Sequence, residues 1–494
     1  VWPQGKARPT RFGGRGARRP GPQRPLQFRG RCTSSGNRLA CSIFCPRSGA
    51  CPPRPEDGYG TLRNEPSRMN LRLPIVSRTA SPTARRARAL SLLATALLIA
   101  AGPTPAQESG EEGSAAHPAG GTLNLLVGAA LSHEDNLFHL PPGTDPQAAL
   151  GKSSGTDTAN IEYIGVTLDK SYSQQHFLLD ARATHFHYNT FSFLDFSATK
   201  YQGSWQWTAT HWLTGSLEAN REQSLVNFAD SLNYTQRNTR SARNENFNLD
   251  GELGGGWHLI GKTARFTRKD THSIAAEGDF QETSNEAGVK YVETSSSSLA
   301  VVARTTSGEY TDRSDDPVTL RDKRYTQHDL ELRGNWPITG KSTLLATLTH
   351  LARHHEHFAQ RDYTGTGYQA AYKWNPTGKL KLEFGAKREI ASYQEVSSSY
   401  AVDNALSATA TWSVYPKTTV RLKAEEARRN FFGAVAPVAD MRQDKFHSMQ
   451  AGVEWAPLKY LTLTANLQHD RRNSNRTAYA YGATSSQLAA QLIF

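Results

Sequence analysis

The sequence predicts an all-β chain: a transmembrane, antiparallel, up-and-down β-barrel of about 18 strands, within a range of 16–20. Three observations predict it. The first is alternation over long runs. From residue 122 onward, apolar and polar side chains alternate with period 2. In 379–387, Leu380, Leu382, Phe384 and Ala386 point one way, and Lys381, Glu383, Gly385 and Lys387 the other. Many such runs reach 10–14 residues. A soluble strand has a mode of about 5–6, whereas a tilted strand crossing a bilayer needs about 9–11. The second is a recurring unit: Trp336-Pro337, Trp374-Asn375-Pro376, Trp412 with Pro416, and Trp455-Ala456-Pro457, separated by 38, 38 and 43 residues. Each Trp continues the apolar face of its strand and ends it at a tight turn, which predicts an aromatic girdle at one lipid–water boundary. The third is the C-terminus, where Leu488, Ala490, Leu492 and Phe494 form one apolar row ending in an aromatic. On the lipid face of a last strand, that row is an assembly signal for the outer-membrane assembly machinery.

The chain divides in order. Residues 1–106 carry 19 Lys and Arg against 3 Asp and Glu; the rest carries 38 against 42. The formal charge of +12 therefore comes from the leader, and a nucleic-acid partner is excluded for the rest. All four cysteines (Cys32, Cys41, Cys45, Cys51) lie in residues 1–68, in no good zinc spacing. That Arg-, Pro- and Gly-rich segment is predicted to be disordered and not part of the native protein. Residues 69–106 read as a signal peptide, with Arg72 to Arg88 as the basic n-region and Ala89–Ala101 as the apolar stretch. Cleavage is expected between Ala106 and Gln107. Residues 107–121 read as a periplasmic N-terminal segment, and 122–494 as the outer-membrane barrel of a Gram-negative bacterium.

Short turns are expected near 170–175, 210–214, 257–261, 294–298, 336–342, 374–379, 412–418 and 455–459, with a first strand at about 123–132. Longer polar connections (133–157, 225–242, 311–323, 430–442) should be the extracellular loops. Region 262–296 is the least clearly patterned.

Few motifs suggest chemistry. Gly334, Gly340, Lys341 and Ser342 resemble a phosphate loop with one residue too many, in a strand–turn–strand setting. His354, His355, Glu356 and His357 could offer two ligands if His355 and His357 shared a face. No catalytic, cofactor or metal residue is assigned, and no enzyme activity is expected. The alternation turns Asp180, Arg182, Asp329, Glu331, Arg333, Lys373, Lys381, Glu383, Lys387, Arg421, Lys423, Glu425 and Glu454 inward. Both signs are interleaved, whereas a strongly ion-selective pore would favour one.

After the first predicted strand the chain reads Asp135-Asn136-Leu137-Phe138-His139-Leu140-Pro141. A strand followed by DNLFRLP resembles the EpsL family of outer-membrane β-barrels, β-barrel porins associated with exopolysaccharide biosynthesis. His139 stands where Arg is usual. The resemblance implies a role in exopolysaccharide export or surface assembly, with exopolysaccharide and its export proteins as partners beside outer-membrane lipid and lipopolysaccharide. It supplies no catalytic residue. A general diffusion porin for small solutes, and a polysaccharide-binding barrel without transport, are the alternatives.

Overall fold

The computed structural model describes residues 123–274 and 276–494. The predicted leader segments, with the Ala106–Gln107 cleavage site, lie outside the described residues. Eighteen strands follow one another: β1 (Leu123–Glu134), β2 (Asp157–Tyr172), β3 (Gln175–Tyr188), β4 (Phe196–Thr208), β5 (Leu213–Leu225), β6 (Thr239–Gly254), β7 (Trp257–Asp270), β8 (Phe280–Val292) and β9 (Ser298–Tyr310). They continue with β10 (Arg324–Thr339), β11 (Ser342–His355), β12 (Tyr363–Trp374), β13 (Leu380–Glu395), β14 (Ser398–Tyr415), β15 (Thr418–Phe432), β16 (Gln443–Leu458), β17 (Leu461–Ser474) and β18 (Tyr481–Ile493). Each pairs antiparallel with the next, and β1 pairs with β18, so the sheet closes. Phe494 belongs to the seam: its N–H and carbonyl both bond Leu125, at 2.9 and 3.0 Å.

The two faces are inverted relative to a soluble protein. Asp329 and Glu331 are 4 % and 3 % exposed, while the intervening Leu330 is 58 % exposed. Leu131, Leu217, Leu348, Leu467 and Leu488 face outward in the same way. A closed ladder leaves no unpaired edge and an apolar exterior suits acyl chains, so the barrel spans a membrane with its polar face inside.

The turns fall where Trp, Pro and Gly punctuate the sequence, with shifts. The β6–β7 turn lies at 255–256, ahead of the expected 257–261, because Gly254, Gly255 and Gly256 all take positive φ. A Cβ on Gly256 would stand 2.4 Å from the Val292 carbonyl, so only glycine fits. Strands β10, β14 and β16 run past Trp336, Trp412 and Trp455 to Thr339, Tyr415 and Leu458. Bulges at Pro337/Thr339, Ser413/Tyr415 and Trp455/Leu458 absorb the irregularity. Region 262–296 resolves into most of β7, β8, the described connecting residues 271–274 and 276–279, and the turn after β8. The expectation of longer connections on the far side fails at β13–β14, which a two-residue turn joins. Their upper ends are buried: Gln394, Ser398 and Ser399 are nearly inaccessible. Arg361 from the β11–β12 loop donates to the carbonyls of Thr319, Leu320, Glu395 and Ser398 at 2.6–2.8 Å.

Candidate lumen and its mouth

The resemblance motif builds the mouth. Asn136 accepts from the Leu140 N–H (2.9 Å) and donates to the Leu140 and Gly482 carbonyls (3.1 and 2.9 Å). Asp135 accepts from the Thr484 N–H at 2.7 Å. So braced against β18, the loop turns Leu137 and Phe138 under the rim. They pack there with Ala159, Tyr188, Phe196 and Ala198, which occupy inward positions of β2, β3 and β4. Phe138 is fully buried, its ring centroid 4.6 Å from Phe191 and 4.7 Å from Phe228.

The β1–β2 loop carries helix α1 (Pro146–Leu150), and the β5–β6 loop carries helix α2 (Phe228–Ser231). Asn227 caps α2 by accepting from the Ala229 N–H and also meets His139 Nδ1 at 2.8 Å. The His139 ring stacks on Tyr481 and reaches Glu134 at 3.2 Å. Burial favours its neutral form, but Glu134 and Asn227 outweigh that and raise its pKa.

Asp230 of α2 joins a second cluster by accepting from Arg472 at 2.8 Å. Arg442 grips Asp444 at 2.7 Å and lies 3.5 Å over the Tyr479 ring. Arg429 bonds Asp403 at 2.9 Å. Burial works against the Asp230 charge, yet Arg472 and Arg429 hold its carboxyl below the ordinary range.

Below the mouth the lumen has unlike walls. On β8–β10, Arg304 bridges Asp329 (2.7 Å), Glu331 (2.6 Å) and Glu286 (3.4 Å), and Arg333 reaches Glu286 at 2.9 Å. On β12–β15, Lys373, Lys381, Glu383, Lys387, Arg421, Lys423 and Glu425 occupy inward register positions, with Lys423 and Glu425 3.9 Å apart. Glu454 follows on β16. Asp180 and Arg182 pair at 3.1 Å on β3. Half-way round from the β8–β10 ladder the wall is amide-rich: Asn466 meets Gln487 at 3.4 Å and Tyr163 meets Gln491 at 3.0 Å.

On the outer face, Trp336, Trp374, Trp412 and Trp455 are exposed at the short-turn ends of their strands. Leu488, Ala490, Leu492 and Phe494 take alternate outward positions on and just after β18.

Two groups depart from the sequence reading. His355 and His357 do not share a face. His355 ends β11 buried against Asp362 and Gln394, whereas His357 lies in the following loop, half-exposed beside Asp322 (3.3 Å) and Asp315 (3.6 Å). The hydrogen bond to Asp322, with Asp315 nearby, holds the His357 pKa above its ordinary value. Asp315, Asp322 and His357 offer ligand atoms within 4.8 Å of one another, a group close enough for a metal ion where sequence assigned none. Glu286, Arg304, Asp230, Asp403, Arg429, Arg442, Asp444 and Arg472 were not singled out. Alternation alone could have found Glu286 and Arg304; the mouth network is long-range.

A family model described as "Putative beta-barrel porin 2" matches residues 350–493, from within β11 to the end of β18. No curated protein matches the chain. Solved structures similar to it include OccAB3 of Acinetobacter baumannii, at 10 % identity and TM-score 0.41, covering 75 % of this chain and 98 % of that one. The outer-membrane protein OpdK of Pseudomonas aeruginosa is 12 % identical with TM-score 0.41, covering 75 % and 99 %. OccK2 (OpdF) of the same organism, in complex with glucuronate, is 11 % identical with TM-score 0.42, covering 76 % and 96 %. Likeness at this level is not evidence of a shared cargo. The closed eighteen-strand sheet, its apolar exterior and the porin-family match define the class: a porin-like β-barrel of the Gram-negative outer membrane.

Proposed function

We propose that the barrel is a non-enzymatic diffusion channel for small polar solutes, narrowed at its extracellular mouth by loops folded into the lumen. The lumen wall carries this reading: charges of both signs and amides line it, and a water-filled path needs such a surface. The mouth cluster around Phe138 and the Asp230–Arg472 pair would restrict solute size. Planar-bilayer recording tests it. Discrete conductance steps are expected, larger when Asp230 is replaced by Asn; no conductance from either form overturns the reading.

Exopolysaccharide export or assembly is the second reading. It draws on the motif at Asp135–Phe138 and on the amide wall, which offers paired donors and acceptors to a hydroxyl-rich chain. Its partners would be the polysaccharide and its export proteins. Unchanged surface polysaccharide after gene deletion would count against it. In either reading, lipopolysaccharide surrounds the barrel and the outer-membrane assembly machinery inserts it.

A further inference from the structure

The outer face of the barrel changes character at one level, and histidine marks the change. On six strands an outward histidine stands one step beyond an outward apolar residue, toward the long loops; on β11 one further apolar residue, Ala352, lies beyond it. These are His133 beyond Leu131, His185 beyond Ala183, His328 beyond Leu330, His350 beyond Leu348, His447 beyond Met449 and His469 beyond Leu467. Five of the rings share one arrangement. Nδ1 of His133, His185, His328, His350 and His469 bonds the hydroxyl of Thr158, Ser197, Thr305, Thr366 and Thr484, at 2.9, 3.1, 3.2, 3.2 and 3.0 Å. In every case the hydroxyl residue is the direct cross-strand partner. The pairs form two arcs, one from β17 through the closure to β4 and one over β9–β12. Between the arcs the same level holds Arg221, Arg265 and Arg388, with Glu162, Glu245 and Glu426 also on the band.

A surface histidine needs no partner, so five repeats of one cross-strand bond argue for a fixed ring orientation. When the hydroxyl donates to Nδ1, the proton of the neutral ring sits on Nε2, which becomes an oriented donor on the barrel's outside. The apolar belt beneath fixes what meets that donor. Side chains below it contact acyl chains, so the next layer outward is lipid headgroup. Oriented N–H donors, with arginines at the same level on strands between the arcs, suit phosphate oxygens. We propose that the five His–Ser/Thr pairs form a docking collar for the phosphate groups of an acylated, phosphorylated glycolipid in the outer leaflet. The collar rests on the barrel's place in the outer membrane and is independent of what the lumen carries.

Native mass spectrometry of the whole barrel in non-ionic detergent tests the collar. The probes are a hexa-acylated glucosamine disaccharide carrying two phosphates and the same lipid after phosphate removal. The parent should prefer the phosphorylated lipid. A variant with His133, His185, His328, His350 and His469 all replaced by Ala should bind it at least about tenfold more weakly, with the dephosphorylated lipid unaffected. Equal binding of both lipids by the parent, or an unchanged preference in the variant, overturns the proposal. A second variant keeps the rings and removes their orientation: Thr158→Val, Ser197→Ala, Thr305→Val, Thr366→Val and Thr484→Val. It should lose part of the preference, and it decides alone if the first fails to fold; an unchanged preference there also overturns the collar. Inorganic phosphate at the same concentration should not displace the lipid, and displacement would overturn the headgroup as ligand. Bilayer conductance should be the same in parent and variants, which keeps this test separate from that of the channel.

Discussion

At the residue scale the mouth depends on a few side chains with long-range partners. Phe138 has no exposed surface and touches rings from two other loops. Phe138→Ala should cost about 3–5 kcal/mol of local stability. Faster proteolysis within loop 135–156, with the barrel itself intact, would show it. Asp230 holds α2 to Arg472 across 242 residues of sequence. Asp230→Asn removes the nearer carboxylate from buried Arg472 and leaves it Asp444 at 3.6 Å, at a cost of about 3 kcal/mol, and should raise single-channel conductance. The pH dependence of the two contacts runs in opposite senses. The Asp230 pKa is depressed from 3.8, so its contribution is present above that value and is lost as pH falls further, through the folded pKa. The His139 pKa is raised from 6.5, so its link to Glu134 is complete below that value and fades as pH rises through the folded pKa. The mouth should therefore be tightest in mild acid. Conductance recorded from pH 3 to 9 should pass through a minimum between those limits, and a flat profile would disconnect both contacts from the channel.

At the element scale the strands were legible because a lipid-facing strand must alternate. Leu380 to Lys387 or Leu461 to Gln468 admit one register only, since a one-residue slip would turn charges toward the acyl chains. The boundaries were less legible. A Pro after Trp336 looks like the end of a strand, but a bulge carries the ladder past it to Thr339. Region 262–296 was opaque because the upper halves of β7 and β8 rise above the apolar belt. Their outward residues there, Arg265, Lys269 and Thr283, are as polar as the inward ones, so the period-2 contrast disappears. The mouth was illegible for another reason. Its contacts join loops far apart in sequence, and the available hint was several Phe residues (Phe138, Phe191, Phe193, Phe228) in otherwise polar connections. The belt itself gives a sharp test. Leu332 faces outward between Val301 and Leu348, well inside the apolar zone. Leu332→Arg should destabilise the folded barrel by about 2–4 kcal/mol, read as a lower urea midpoint in reconstituted vesicles. Thr305→Arg, on the polar band above, should shift the midpoint far less.

At the scale of the whole barrel, the decisive quantity is how fixed charge is distributed along the path a solute would take. The β8–β10 ladder is neutralised with one cation from β7, because Arg304, Arg333 and Lys262 face Glu286, Asp329 and Glu331. It should add little field along the axis. Toward the short-turn end, Lys373 and Lys381 lie one residue from the ends of β12 and β13, and Arg421 lies on β15. Glu383 and Glu454 oppose them in part. If ions cross by the lumen, this cationic patch on the β12–β15 wall biases the current toward anions. Replacing both Lys373 and Lys381 by Glu should move the zero-current potential in a tenfold KCl gradient toward cation selectivity. The shift should grow at low salt, since the screening length lengthens from about 10 Å at 0.1 M to about 30 Å at 0.01 M. Arg265→Glu reverses a charge on the outer face of β7 and serves as the control. It should leave the potential unchanged, because a charge separated from the path by the barrel wall is screened from it. A shift from the inner pair with none from the outer site would locate the conducting path inside the barrel. Equal shifts, or none, would mean that the current does not pass the lysines.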